Sequence, residues 1–162
     1  MALRFATSTD TCGKIPNSVL LEIQDECNKS GCTALDPFAG SGFATLSLGE
    51  NVRCTDVKPW AGHHHVGTQD ALAAIDASRE NEQILIMMFP PPQSDVPVKV
   101  LEKASEKGFR LVYIMQEELE AYHCGNQSYV DLVEQLGAIE LDDYETPNHR
   151  NGFYTKVWKI CL

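Results

Sequence analysis

Gln83-Ile84-Leu85-Ile86-Met87-Met88-Phe89 is the most apolar run in the chain. After Gln83 it shows no alternation of polar and apolar residues. A run of this kind reads as a central strand buried on both faces, which is the pattern of a parallel sheet. Pro90-Pro91-Pro92 follows at once and ends it, because proline gives a ladder no N–H.

Outward from this strand, apolar strand-like runs alternate with helical stretches. On the N-terminal side, Pro16 stands where a helix begins, and Val19, Leu20, Ile23 and Cys27 recur at helical spacing up to Gly31. Thr33-Ala34-Leu35 is a short strand, and 43–48 a small helix stopped at Gly49. Residues 51–55 read as the next strand, 65–66 as a short one and 70–77 as a helix. On the C-terminal side come a helix over 98–107, a strand over 110–115 and a helix over 129–136 closed by Gly137. Two strands, 139–144 and 153–160, finish the sequence. Strands alternating with helices imply a mostly parallel sheet covered on both faces. The expected fold is a doubly wound, Rossmann-like α/β sheet with an antiparallel C-terminal hairpin.

At 162 residues, against roughly 150 per domain, one domain over 1–162 is expected, with no room for a separate recognition domain. The longest apolar run, 84–89, is far short of the about 18 residues a membrane span needs. The first 13 residues lack the apolar stretch of a secretory signal. Lys+Arg 13 against Asp+Glu 23 gives a net charge of −10, which disfavours tight, non-specific binding to nucleic acid. The six cysteines include no C-x-x-C, and reduced thiols in a cytoplasmic protein are the expectation.

In open α/β sheets, ligands sit at the carboxyl ends of the strands, near the point where strand order reverses. Three turns qualify. The first is Leu35-Asp36-Pro37-Phe38-Ala39-Gly40-Ser41-Gly42. Gly40 and Gly42 let the backbone approach a ligand closely, and Asp36 can accept from a cationic amine. Thr45 stands where a dinucleotide fingerprint has its third glycine, and no Gly-Lys-Ser/Thr follows. The second turn begins at Asp56, 14 residues after Gly42. A carboxylate there can take both hydroxyls of a ribose, at roughly 1.5–3 kcal/mol per charged hydrogen bond. The third follows Phe89.

A D-P-F-x-G-S-G turn after one strand and an acidic residue closing the next resemble the class I S-adenosylmethionine (SAM)-dependent methyltransferases. The wording 35–42 is most similar to their amino-methyltransferase branch, which modifies nucleic-acid bases. The resemblance runs over nearly the whole chain. It implies a seven-stranded sheet and SAM as cofactor. Asp36 and the Gly40–Gly42 turn would hold the methionine end, with Phe38 lining the site. Asp56 would take the ribose hydroxyls, Val57 would pack on adenine, and Asp70 would accept from the adenine amino group. Phe89, Pro90 and Pro91 would line the acceptor site.

The acceptor turn departs from that branch, which has Asp, Asn or Ser, then Pro-Pro, then an aromatic. That polar side chain accepts from the target amine, and the aromatic stacks on the flipped base. Here those two positions hold Phe89 and Pro92, and Phe accepts no such bond. An aromatic followed by three prolines is similar instead to small methyltransferase-like proteins with no assigned reaction. The leading expectation is a methyltransferase acting on a small molecule or a protein side chain. A non-catalytic member of the fold serving as a partner module is one alternative, and a base amino-methyltransferase working within a complex is another. Glu117, with Glu118 and His123 beside it, supplies the nearest candidates for a general base. His63-His64-His65 points to alternating faces, so no metal site is expected, and Trp60 and Trp158 are expected to pack.

Overall fold

In the computed structural model, residues 15–59, 65–116, 124–141 and 156–162 are described. The elements are α1 (Asn17–Ser30), β1 (Thr33–Asp36), a 3-10 segment (Phe43–Asn51), β2 (Val52–Asp56), β3 (Val66–Thr68), α2 (Ala71–Asp76), β4 (Glu82–Met88), α3 (Val96–Lys107), β5 (Leu111–Gln116), α4 (Gln127–Gln135), β6 (Ile139–Glu140) and β7 (Lys156–Cys161). The sheet has seven strands in the order β3-β2-β1-β4-β5-β7-β6. The five strands from β3 to β5 are parallel, and β7 runs antiparallel to both β5 and β6.

β4 lies at the centre, as its apolar run predicts. Ile84, Leu85, Ile86 and Met87 are all fully buried. Its side chains divide between two cores. Leu85 and Met87 join Leu35, Val112, Ile114 and Ile160 with α2, α3 and α4 on one face. Ile84, Ile86 and Met88 join Ala34, Tyr113 and Met115 with α1 on the other. At about 1.5–3 kcal/mol per fully buried aliphatic side chain, this two-sided burial is the main stabilising contribution.

Local chemistry sets the boundaries. Pro16 precedes α1 as its N-cap, and Gly31 ends it at φ 65, donating to the Cys27 carbonyl. Asp70 caps α2 through Ala73 N–H, 3.0 Å away. The helix expected to stop at Gly49 is a 3-10 segment that breaks there (φ 55, ψ −125) and resumes to Asn51. The expected antiparallel pair at the C-terminal end is present as β6 and β7, and β7 inserts between β5 and β6, so it is internal to the sheet. Trp158 packs in the core, as expected.

One buried ion pair ties three elements together. Glu82 is 3% exposed and accepts from Arg53 Nε at 2.8 Å and from the Arg79 N–H at 2.7 Å. Arg53 also donates to the Ala74 carbonyl at 2.9 Å. This locks β2, β4 and α2 in register beneath the turns at the strand tips.

Candidate functional site

The order of strands reverses between β1 and β4. The turns after β1, β2 and β4 meet there around a cavity of about 350 Å³, within the usual range of roughly 300–1,000 Å³ for a small-molecule site. The first turn contributes Pro37, Phe38, Ala39, Gly40 and Ser41. Asp56 and Val57 come from the end of β2, and Asp70 and Ala71 from the start of α2. Met88, Phe89, Pro91 and Val96 form the wall beyond β4, and Ala44 completes the lining.

The first turn is stitched to the tip of β2. Ala39 N–H donates to the Thr55 carbonyl at 3.1 Å, and Gly42 N–H to the Ala39 carbonyl at 2.8 Å. Gly40 N–H donates to Asp56 Oδ2 at 2.9 Å. Lys58 N–H donates to Asp56 Oδ1, also at 2.9 Å. Gly40 and Gly42 sit at φ 57 and 74, a region that side chains other than Gly enter at a cost. Each oxygen of Asp56 thus accepts one backbone N–H and keeps a further lone pair. The residue both fixes the glycine turn and offers two acceptors to a ligand.

Asp36 is not on the cavity wall. It is 1% exposed, packed behind the turn. Its carboxylate accepts from Phe38 N–H at 3.3 Å and from the Thr45 hydroxyl at 3.4 Å. No cation faces it among the described residues. Burial pushes its pKa up to about 7; the two hydrogen bonds oppose this and the nearby Asp56 adds to it. Burial, with Asp36 close by, pushes the Cys54 thiol up to about 12. Gly42 likewise does not line the cavity.

Asp70 spends Oδ1 on its helix cap and still faces the cavity. Val57 is 72% exposed at the rim, an apolar face left open. Beyond β4, Phe89 and Pro91 line the cavity, whereas Pro90 is buried and does not. Phe89 has φ 47 and Gln93 φ 50, left-handed positions that cost of order 1–3 kcal/mol each. Phe89 N–H donates to the Met115 carbonyl at 2.9 Å. Gly125 N–H donates to the Pro91 carbonyl at 2.9 Å, and Gln93 N–H to the Gly125 carbonyl at 2.7 Å. Gly125 itself has φ 70 and lies so close to Tyr129 that a Cβ would be 2.3 Å from the ring. Tyr129 donates to buried Gln116 at 3.3 Å.

Phe38, Gly40, Asp56, Val57, Asp70, Phe89 and Pro91 are thus brought together, and Asp36, Gly42 and Pro90 stand behind the wall. Glu117, Glu118, His123, Trp60, His63 and His64 lie outside the described residues. His65 is exposed, and no cluster of three or more His, Cys, Asp or Glu suited to a metal occurs among the described residues. Sequence reading missed Met88, Val96 and Ala44 on the wall and the clamp at Gly125. Only the glycine of that clamp carries any local signal.

The fold has parallels among solved structures. A magnesium protoporphyrin IX methyltransferase from Synechocystis PCC 6803, solved with SAM bound, superposes with a TM-score of 0.59 at 11% identity, covering 90% of this chain and 76% of that one. An rRNA methylase from Streptococcus thermophilus gives 0.59 at 15% identity, covering 91% and 97%. The chain has the class I methyltransferase fold. The N-methyltransferase NodS from Bradyrhizobium japonicum WM9 adds a TM-score of 0.51 at 11% identity over 90% and 94%. No protein-family model and no curated protein sequence matches the chain. Within this fold, the cavity lies where the sheet reverses, and among the described residues its charged side chains are the carboxylates of Asp56 and Asp70. No described helix is long and apolar enough to cross a membrane.

Proposed function

We propose that the protein binds SAM in the cavity and methylates a small molecule or a protein side chain. The observation that carries this reading is Asp56. Its two oxygens are fixed by Gly40 and Lys58 N–H, and each retains an acceptor site for a ribose hydroxyl. The residues fit the group. The positive-φ glycine turn brings backbone to the cavity edge, and Asp56 and Asp70 suit a ligand that is a cation and an amine donor. Bound there, SAM would supply a methyl group on a sulfonium. Asp56 would hold the ribose, Asp70 the adenine amino group, and Val57 the adenine face. The apolar Phe89–Pro91 wall would exclude water and orient the acceptor. Such positioning is worth on the order of 7–11 kcal/mol of barrier, and no protein nucleophile is required.

Calorimetric titration with SAM and with its demethylated product S-adenosylhomocysteine (SAH) tests the reading. Micromolar binding that is lost in Asp56→Ala is expected. No heat at millimolar ligand would sink it. The apolar acceptor wall favours one second reading, a SAM-binding module without transfer, seen as binding with no methylated product across an acceptor screen. A nucleic-acid acceptor is disfavoured because no basic side chain lines the cavity among the described residues.

A further inference from the structure

The two carboxylates of the cavity wall, Asp56 and Asp70, stand on different elements, the tip of β2 and the N-cap of α2. α2 is six residues long, too short to hold its place without tertiary contacts. What fixes Asp70 against Asp56 lies behind the wall. Gln69 N–H donates to the Asp56 carbonyl at 3.0 Å, which ties the link between β3 and α2 to β2. Arg53, on the same strand as Asp56, then reaches both sides of Asp70. Its Nη1 donates to Gln69 Oε1 at 3.4 Å and its Nη2 to the Ala74 carbonyl at 2.9 Å. Ala74 N–H in turn donates to the Asp70 carbonyl at 2.9 Å, and Ala73 N–H to Asp70 Oδ1 at 3.0 Å. The guanidinium is itself held through Nε by Glu82 Oε2, while Glu82 Oε1 takes the Arg79 N–H. Arg53 does not line the cavity. Its pair with Glu82 alone would join β2 to β4, yet two further donors of the same fork go to residues flanking Asp70.

We propose that Arg53 is a positioning residue for Asp70: it sets that carboxylate against Asp56, and so sets the site's preference for a purine with an amino group at its 6-position over one with a carbonyl there. The inference deepens the proposed function and rests on it for the ligand. Oδ1 of Asp70 is spent on the helix cap, which leaves Oδ2 for the purine. An amino group donates to that oxygen, whereas a carbonyl in its place sets acceptor against acceptor. The preference therefore depends on where α2 holds Asp70, and Arg53 spans α2, Gln69 and β4 at once. A lysine at 53 carries the charge but lacks the planar fork that serves three acceptors at fixed angles.

The test is calorimetry on the full chain with SAH and with its 6-oxo analogue, S-inosylhomocysteine. Wild type is expected to hold SAH about tenfold more tightly than the analogue. In Arg53→Lys, SAH affinity is expected to fall by about the same factor while that for the analogue changes little, so the preference closes. An equal loss of both ligands marks a merely structural arginine and overturns the inference. An unchanged preference in the folded variant overturns it too, as does equal binding of both ligands by wild type. Gln69→Ala leaves the Arg53–Glu82 pair and the Gln69 N–H in place and is expected to narrow the preference severalfold. Should Arg53→Lys not fold, Gln69→Ala decides. Amide hydrogen exchange of the ligand-free chain separates the two readings. Exchange at Gln69 and Ala73 N–H is expected to quicken severalfold in the variant, with Val112 and Ile114 of β5 unchanged. That result without SAH binding by wild type refutes the cofactor site and keeps Arg53 as the residue that places Asp70. SAH binding with unaltered exchange does the reverse.

Discussion

The Gly40 amide rests on the Asp56 carboxylate, 2.9 Å from Oδ2. One side chain therefore shapes the turn after β1 from the tip of β2. Asp56→Asn keeps one carbonyl oxygen but turns an NH2 toward one of the two backbone N–H groups. A charged hydrogen bond is worth roughly 1.5–3 kcal/mol, so SAM affinity is expected to fall by about 10- to 100-fold. The Kd from calorimetry checks this. An Asn variant that binds like wild type would remove Asp56 from the site.

Asp36 makes stability depend on pH. Its pKa in the folded chain is raised to about 7 by burial, while in the unfolded chain it is about 3.9. Between these values the native state keeps a proton that the unfolded state has released. Stability from this group is therefore full below about pH 4, and falls as pH rises to about 7, by at most about 1.4 kcal/mol per unit. Urea midpoints at pH 5 and pH 8 should drop more for wild type than for Asp36→Asn, which has no proton to lose. Equal drops would show that Asp36 does not carry the effect.

Gly125→Ala should loosen the turn after β4. The new Cβ meets the Tyr129 ring at 2.3 Å in a backbone at φ 70. Strain and clash together should cost about 2 kcal/mol or more, read as a lower urea midpoint. Gly137→Ala, also at positive φ but with nothing within 4 Å, is the control and should cost about 1 kcal/mol. The two variants costing the same would mean that Tyr129 yields freely.

Glu82→Ala removes the acceptor of Arg53 Nε and of Arg79 N–H. A buried pair broken on one side costs about 3–5 kcal/mol. Arg53 is a quarter exposed, so water recovers part of this, and about 3 kcal/mol is expected in a denaturant titration. A loss under about 1 kcal/mol would place the pair among those of the surface.

The core of the sheet was legible because β4 is buried on both faces, and its run of Ile, Leu and Met admits few other readings. The carboxylate at 56 was legible from its place at a strand tip, whereas the one at 70 was drawn only from the family resemblance, its role as a helix cap appearing in the structure. The insertion of β7 between β5 and β6 was not, since hydrophobic patterning reports burial and says nothing of which strand pairs with which. Asp36 read as a ligand residue because a strand-tip carboxylate can face either way, and only the packing of Thr45 and Phe38 turns it inward. The Gly125 clamp lies 36 residues beyond Phe89, and two non-glycine residues at positive φ carry no sequence mark.

The place of β7 has a consequence for biosynthesis. β5 pairs with β7 along six residues, from Leu111 with Cys161 to Gln116 with Lys156. β6 is translated earlier, yet it reaches the sheet only through β7. A ribosome that has released residues up to 141 therefore carries a chain whose five parallel strands can assemble, but whose β5 is still an open, apolar edge. Such edges invite pairing with other chains. The interval before residues 156–161 emerge is when the nascent chain is most open to such pairing.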